Sequence, residues 1–378
     1  MNTTRLALDD DTARVLQRFG FDSIPFESLR ERLRSGQGAS SAEENRIAGS
    51  VEPPRPADIG HLPPSGSAKR AALEAKGLEA LRRGEVGAVV LAGGMATRFG
   101  GVVKASVKVL GDRSFLDLKL CDARAAARRS GGRVPVFPMT SFATHEAIER
   151  LAAAHRDAAT PLHCFHQFVS LRLTPEGDLF RTPDGKVSPY APGHGDFPFA
   201  FRSSGALARF RRGGGRVLFL SNVDNLTATL DPAIIGAHLE SGAEVTVEVA
   251  DKAPGDKGGA PARVDGRAQI VESFRFPAGF DQDRIPVFNT NTLLFDAEAL
   301  DRDFDLTWFA VEKEVEGRRV VQFERLVGQL TAFLRARFLR VERRGRGARF
   351  QPVKTPEDLP REARIIEDVL EARGILPG

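Results

Sequence analysis

The chain has only two cysteines in 378 residues, Cys121 and Cys164. They show no CxxC spacing and no neighbouring ligand cluster. That argues against a disulfide framework or a zinc site and leaves buried free thiols as the expectation. Long apolar runs are also lacking: none approaches the ~20 residues a membrane helix needs. The opening stretch, MNTTRLALDDDTARVLQRFG, is polar and acidic where a secretory leader would be basic and then apolar. A soluble cytoplasmic protein with no membrane partner is expected. Charge of one sign is scarce too, with 54 Lys and Arg against 50 Asp and Glu and a formal net charge of +4. No long basic block stands alone and no aromatic residues interleave with basic ones, so no nucleic-acid surface is expected. A local cationic cleft for a phosphorylated small substrate fits the same balance. No internal repeat or low-complexity segment appears, and no Ser/His/Asp or Cys/His constellation calls for a covalent nucleophile.

What is present is a hydrophobic content of 42%, enough for a sizeable core in one large α/β domain or in two lobes. DDDTARVLQRFGF and IPFESLRERLRSG space their apolar residues helically and end in glycine, which predicts a helical preface. GSVEPPRPADIGHLPPSGS is rich in proline and glycine and reads as loop. A helix is expected over SAKRAALEAKGLEALRRG, stopped by Gly84. From Val86 onward strands and helices alternate. VGAVVLA, VPVFPMTS, RVLFLSNVDN and AEVTVEVA read as strands. The helices are SFLDLKLCDARAAARRSGG, capped by Ser114, then FATHEAIERLAAAH, then DPAIIGAHLESG, with Asp231 as cap and Pro232 at the first position. VVQFERLVGQLTAF reads as a packing helix in which Glu324 is structural. The alternation predicts a doubly wound, mostly parallel sheet. Three divisions follow: a helical extension and linker over 1–65, the α/β domain over 66–350, and a short C-terminal segment with a helix over 351–378.

Ligands of such sheets bind beyond the carboxyl ends of the strands. Two strands end in unusual polar chemistry there, Leu91 running into AGGMATRFGG and Leu220 into SNVDN. The first loop fits neither G-x-G-x-x-G nor the Walker A pattern. It still carries what phosphate binding needs. Gly93 and Gly94 let the backbone approach a ligand, exposed N–H groups can point at phosphate oxygens, and Arg98 and Lys104 add positive charge. The alternative is a plain glycine turn with two surface cations.

LAGGMATRFGGVVKASVKVL resembles the signature of sugar-nucleotide pyrophosphorylases, in particular the UTP-dependent branch that makes UDP-glucose or UDP-N-acetylglucosamine. Ala96 stands where glycine is common and Val103 where proline commonly precedes the lysine. Alignment with the family's K-x-x-x-P-V puts Lys104 on the catalytic lysine and Lys108 on the proline. Five further segments resemble the same family in order. LHCFHQFVSLRL places Gln167 on the glutamine that reads uracil, and an amide offers both donor and acceptor to a pyrimidine edge. In SPYAPGHGDFPFAF, Gly193 falls where the nucleotide is approached and His194 where the sugar phosphate is faced, with Asp196 expected to hold the loop by accepting backbone N–H bonds. FLSNVDNLTATLDP supplies Asp224 as the ligand of a Mg²⁺ ion, for which one carboxylate suffices when phosphates and water complete the shell. Asn222 and Asn225 are candidates for sugar or ribose hydroxyls. In IPVFNTNTLLFDAEAL, Asn289 and Asn291 are two apart and would share one face of an extended segment. RRGRGARFQPVKTPEDL places Lys354 on a lysine that reaches the phosphates from the other side. Lys313 also falls in a family-like stretch.

The resemblance spans roughly residues 66 to 360. It implies a Rossmann-like nucleotide-diphospho-sugar transferase fold and a uridylyltransferase that joins UTP to a sugar 1-phosphate, releasing pyrophosphate with Mg²⁺ as cofactor. Glucose 1-phosphate is the expected sugar and N-acetylglucosamine 1-phosphate the alternative. Rival readings are a non-catalytic sugar-nucleotide sensor and a nicotinamide dehydrogenase. The long β-helical extension of some relatives is not expected here, and a monomer or small homo-oligomer is.

Overall fold

The computed structural model describes residues 6, 8–36, 43, 45–155, 157–253, 256 and 258–377. Its centre is an eight-stranded sheet. In chain order the strands are β1 (Ile59–His61), β2 (Val86–Leu91), β3 (Val136–Thr140), β4 (Phe165–His166), β5 (Val217–Asn222), β6 (Val245–Asp251), β7 (Val287–Asp296) and β8 (Ala336–Arg340). Their spatial order is β1-β8-β6-β7-β5-β2-β3-β4. Every neighbouring pair is parallel except the two made by β7, which runs antiparallel to both β6 and β5.

Side-chain alternation along the central strands splits the core into two. On β2, Val86, Ala88 and Val90 enter one hydrophobic cluster and Val89 the other; on β5, Val217 and Phe219 part from Leu218 and Leu220 in the same way. Burial on both faces is why these strands read as continuous apolar runs. Nine helices flank the sheets among the described residues: α1 (Asp10–Arg18), α2 (Ser23–Arg34), α3 (Ala68–Arg82), α4 (Phe115–Ser130), α5 (His145–Ala154), α6 (Phe197–Ser203), α7 (Ala206–Arg212), α8 (Pro232–Ser241) and α9 (Leu359–Ala372). The first cluster takes side chains of α3, α4, α8 and α9, the second those of α6 and α7. Helices on both faces make the sheet doubly wound, as expected.

The caps follow the chemistry. Ser114 and Asp117 form a reciprocal capping box at the start of α4, and Gly131 closes it in the left-handed conformation. Asp231 accepts the Ala233 amide ahead of α8, with Pro232 at its first position. Helices α1 and α2 are formed as the spacing predicts. Their Leu16, Phe19, Phe26 and Leu29 pack with Val321 and Phe323 of a hairpin over Phe309–Val315 and Arg318–Glu324.

Two expectations are corrected. The proline-rich stretch read as loop contains β1 at the sheet edge and a short strand, Val51–Glu52, paired with Val264 and Arg263. VVQFERLVGQLTAF is no helix: its first half is the second hairpin strand and its second half a 3₁₀ turn, Val327–Ala332. Val320 to Phe323 are all buried, because the hairpin is covered on both faces. Uninterrupted burial hides the period that would separate strand from helix. Cys121 and Cys164 are free but half-buried, and burial pushes the Cys164 thiol up to about 12.

Candidate active site

Strands β2 and β5 lie side by side in parallel with Leu91 opposite Asn222, so their carboxyl ends open at the same edge. A cleft of about 370 Å³ lies there. Gly93, Gly94 and Lys104 line it from the loop after β2, and Asn222 and Asp224 from the end of β5. Gln167, Gly193 and His194 complete the wall. These residues come from four distant segments, and the fold gathers them as the motif order implied.

The loop after β2 turns back on itself, so that the Lys104 amide donates to the Gly94 carbonyl at 3.2 Å. Lys104 opens a 3₁₀ turn, and its Nζ reaches Asp224 Oδ2 at 2.5 Å. Lys108 is exposed instead and donates to the Asp112 carbonyl. Gly93 is fixed by Ser141 Oγ, which donates to its carbonyl at 2.7 Å. A Cβ at Gly93 would stand 2.1 Å from Nε2 of Gln167. Only glycine lets that amide lie against the loop. Gln167 is 7% exposed, and its buried Oε1 has no hydrogen-bond partner. A buried unpaired acceptor on a cleft wall is a costly arrangement unless a ligand completes it.

The opposite wall hangs on an ion pair. Arg325 grips the fully buried carboxylate of Asp196, whose other oxygen accepts the Phe168 amide at 3.0 Å. The Arg325 amide donates to Pro192 O at 2.9 Å, and its carbonyl accepts the Gly195 amide at 2.9 Å. One pair therefore steadies both the neighbour of Gln167 and the Gly193–Gly195 turn, where Gly193 has φ +102°. Both oxygens of Asp196 are occupied in this way. Burial holds the His194 imidazole down to about 4, so it is neutral at pH 7. Its Nδ1 accepts the Val327 amide at 3.0 Å, which leaves the proton on Nε2.

The asparagines divide. Asn291 Nδ2 donates to Asn222 Oδ1 at 2.8 Å, linking it to the cleft wall. Asn289 and Asn291 do not share one extended face. Opposite the Glu248–Val249 step of β6, β7 bulges at Thr290 and Asn291, Asn291 takes φ +56°, and Asn289 Oδ1 folds back to accept the Asn291 amide at 2.9 Å. Asn225 is corrected as well. It is 0% exposed and bonded at both ends of its amide to backbone, so it contacts neither sugar nor ribose. Arg98 and Lys354 are exposed and do not line the cleft. Lys354 follows Val353, whose amide donates to the Asp224 carbonyl at 3.3 Å. Lys313 pairs with Glu324 across the hairpin at 3.5 Å.

Sequence reasoning missed a buried shell beneath the cleft. Lys119, 6% exposed, donates to Ser221 Oγ at 2.9 Å and to the carbonyls of Asn225 and Ala228 at 2.7 and 3.0 Å. Burial lowers its ammonium to about 8. The available signal was its position in α4, three residues after Leu116 and four before Ala123, both fully buried: a lysine in the apolar stripe. Arg349 forms a buried two-pronged pair with Glu248 at 2.6 and 2.7 Å and donates to Thr229 O at 2.8 Å. Among the described residues, no group of three or more His, Cys, Asp or Glu side chains is arranged to hold a metal.

A family described as UTP–glucose-1-phosphate uridylyltransferase matches residues 52–362. The chain belongs to this family. It is 31% identical over 287 residues to UTP–glucose-1-phosphate uridylyltransferase 2 of Dictyostelium discoideum, covering 71% of this chain and 56% of that protein. The Hordeum vulgare UTP–glucose-1-phosphate uridylyltransferase is also 31% identical, over 286 residues, covering 71% and 59%. The chain thus spans little more than half the length of these curated relatives. Solved structures share the fold. The uridine diphosphate N-acetylglucosamine pyrophosphorylase of Trypanosoma brucei gives a TM-score of 0.72 at 21% identity, covering 96% of this chain and 85% of that one. The UDP-glucose phosphorylase of the same organism gives 0.72 at 23% identity, covering 93% and 77%. Among the described residues no helix is long and apolar enough to cross a membrane.

Proposed function

We propose that the chain transfers a uridylyl group from UTP to a sugar 1-phosphate, with glucose 1-phosphate as the sugar named by its relatives. The observation that carries this is one cleft lined by two chemically different groups. One is the Gln167 amide, with Nε2 against Gly93 and a buried Oε1 left unpaired, suited to the donor and acceptor edge of a pyrimidine. The other is the Lys104–Asp224 pair, suited to a triphosphate and its counterion.

In the reaction an oxygen of the sugar phosphate attacks the α-phosphorus of UTP in line. The bond from that phosphorus to the bridging oxygen breaks, and pyrophosphate leaves with the electron pair. No side chain of the enzyme bonds to the substrate. Such chemistry depends on positioning and charge neutralisation. Lys104 neutralises the triphosphate from the cleft wall. Arg98 and Lys354 stand outside the cleft and must swing in to reach the β- and γ-phosphates and the attacking phosphate. His194 offers its Nε2–H as a neutral donor to a phosphate oxygen. Asn222, Asn289 and Asn291 serve the sugar hydroxyls, Asn291 through its bond to Asn222. Gly94 and Gly193 leave room for the nucleotide.

Among the described residues, Asp224 is the only carboxylate on the cleft wall. A single carboxylate fits a hard cation such as Mg²⁺ that brings phosphate and water ligands with it. Bound there, the ion would neutralise charge developing on the phosphate oxygens. Lys104 and a cation would share the one carboxylate of Asp224, so Lys104 would compete with the ion for its charge.

The test is pyrophosphate release from UTP and Mg²⁺ with glucose 1-phosphate and N-acetylglucosamine 1-phosphate in parallel, and with CTP and ATP replacing UTP. Release with UTP and glucose 1-phosphate is expected. Release only with the acetylated sugar would move the substrate, and UTP binding without release would favour a sensor.

A further inference from the structure

Asn225 follows Asp224 directly and is fully buried. Both ends of its amide cross to the segment that carries Lys354. Nδ2 donates to the Arg349 carbonyl at 3.0 Å, and Oδ1 accepts the Gln351 amide at 3.1 Å. Asn225 and Pro352 form an antiparallel bridge, and the Val353 amide donates to the Asp224 carbonyl at 3.3 Å. Lys354 is thus the next residue after one bonded to Asp224 itself.

The loop cannot slide to accommodate a change. Lys119 directs all three donors of its buried ammonium at residues 221, 225 and 228. On the other side, Arg349 is held by Glu248 and itself holds Thr229. A buried amide satisfied at both ends by a second segment passes a displacement of one segment to the other, because either broken bond leaves an unpaired polar group.

We propose that Asn225 is a positioning residue: it fixes the backbone that carries Lys354 relative to Asp224, so that the lysine swings into the cleft from an anchor set against the carboxylate during uridylyl transfer. This rests on the roles given to Asp224 and Lys354 under the proposed function. Asn225 itself touches no substrate.

The test uses Asn225→Ala and Asn225→Ser, alone and combined with Lys354→Ala. Amide exchange over residues 349–356 should accelerate in both Asn225 variants while β2 and β5 stay protected. The turnover number should fall about 100-fold, with the KM for UTP unchanged, because a misplacement near 1 Å costs that much. Combined with Lys354→Ala, the Asn225 change should add almost nothing, since its effect runs through that lysine. Losses that multiply would overturn the proposal. Unchanged exchange over 349–356 would overturn the tether whatever the activity. That second readout needs no turnover, so a wild-type chain that releases no pyrophosphate refutes the functional reading separately. Should Asn225→Ala fail to fold, Asn225→Ser supplies both readouts.

Discussion

Lys104 and Asp224 meet at 2.5 Å, with side chains only 20% and 15% exposed. In the nucleotide-free protein the ammonium therefore occupies the carboxylate that would hold a divalent cation. Replacing Lys104 with Met keeps most of the length of the side chain and removes its charge. A hydrogen bond to a charged group contributes about 1.5–3 kcal/mol net. Each 1.4 kcal/mol is a factor of ten in affinity, so the nucleotide-free Lys104→Met protein should bind Mn²⁺ about 10- to 150-fold more tightly than wild type. Free Mn²⁺ is read by electron paramagnetic resonance during a titration without UTP. Asp224→Asn is the control and should remove the site in either background. Turnover should move the other way, because losing one preorganised charge raises the barrier by roughly 3 kcal/mol. Opposite movement of metal affinity and rate separates a competing latch from general damage. Equal or weaker Mn²⁺ binding by Lys104→Met would refute the reasoning.

Gly93→Ala should push the Gln167 amide out of place, since the new Cβ would stand 2.1 Å from Nε2. The KM for UTP should rise about tenfold, with a narrower preference over CTP, as measured by competing nucleotides. Arg349→Leu leaves Glu248 charged and alone at 0% exposure; urea unfolding should show a loss of about 3–5 kcal/mol. His194 and His238 are both held down to about 4 by burial, against an unfolded value near 6.5. Between those values the unfolded chain binds more protons, so stability should fall as pH drops from 6.5 to 4. Urea midpoints across that range should decline, and His238→Gln should flatten part of the decline.

Much of the sheet was legible because strands buried on both faces read as apolar runs and helices announce their caps. Ser114, Asp231 and Pro232 stand at the positions their chemistry favours. The cleft was legible through strand ends: Leu91 and Asn222 are opposite each other, so two polar loops far apart in sequence had to meet. The failures have a common cause, which is partners distant in the chain. Asn225 looks the same in sequence whether its amide faces a ligand or the backbone at Arg349 and Gln351. Lys119 finds its acceptors more than a hundred residues away. β1 is three residues long between prolines and is a strand only because β8 supplies its partner. Asn289 and Asn291 part company because a bulge, which needs two strands to exist, falls between them and β6.

The central claim is direct transfer to a sugar phosphate with no bond to the enzyme. Labelled pyrophosphate tests it most directly. Mixed with UDP-glucose, Mg²⁺ and the wild-type chain, the label should appear in UTP, and Asp224→Asn should abolish this. Mixed with unlabelled UTP and no sugar, it should not exchange. Label entering UTP without any sugar would contradict the account, because it would require a uridylyl group held covalently by the protein.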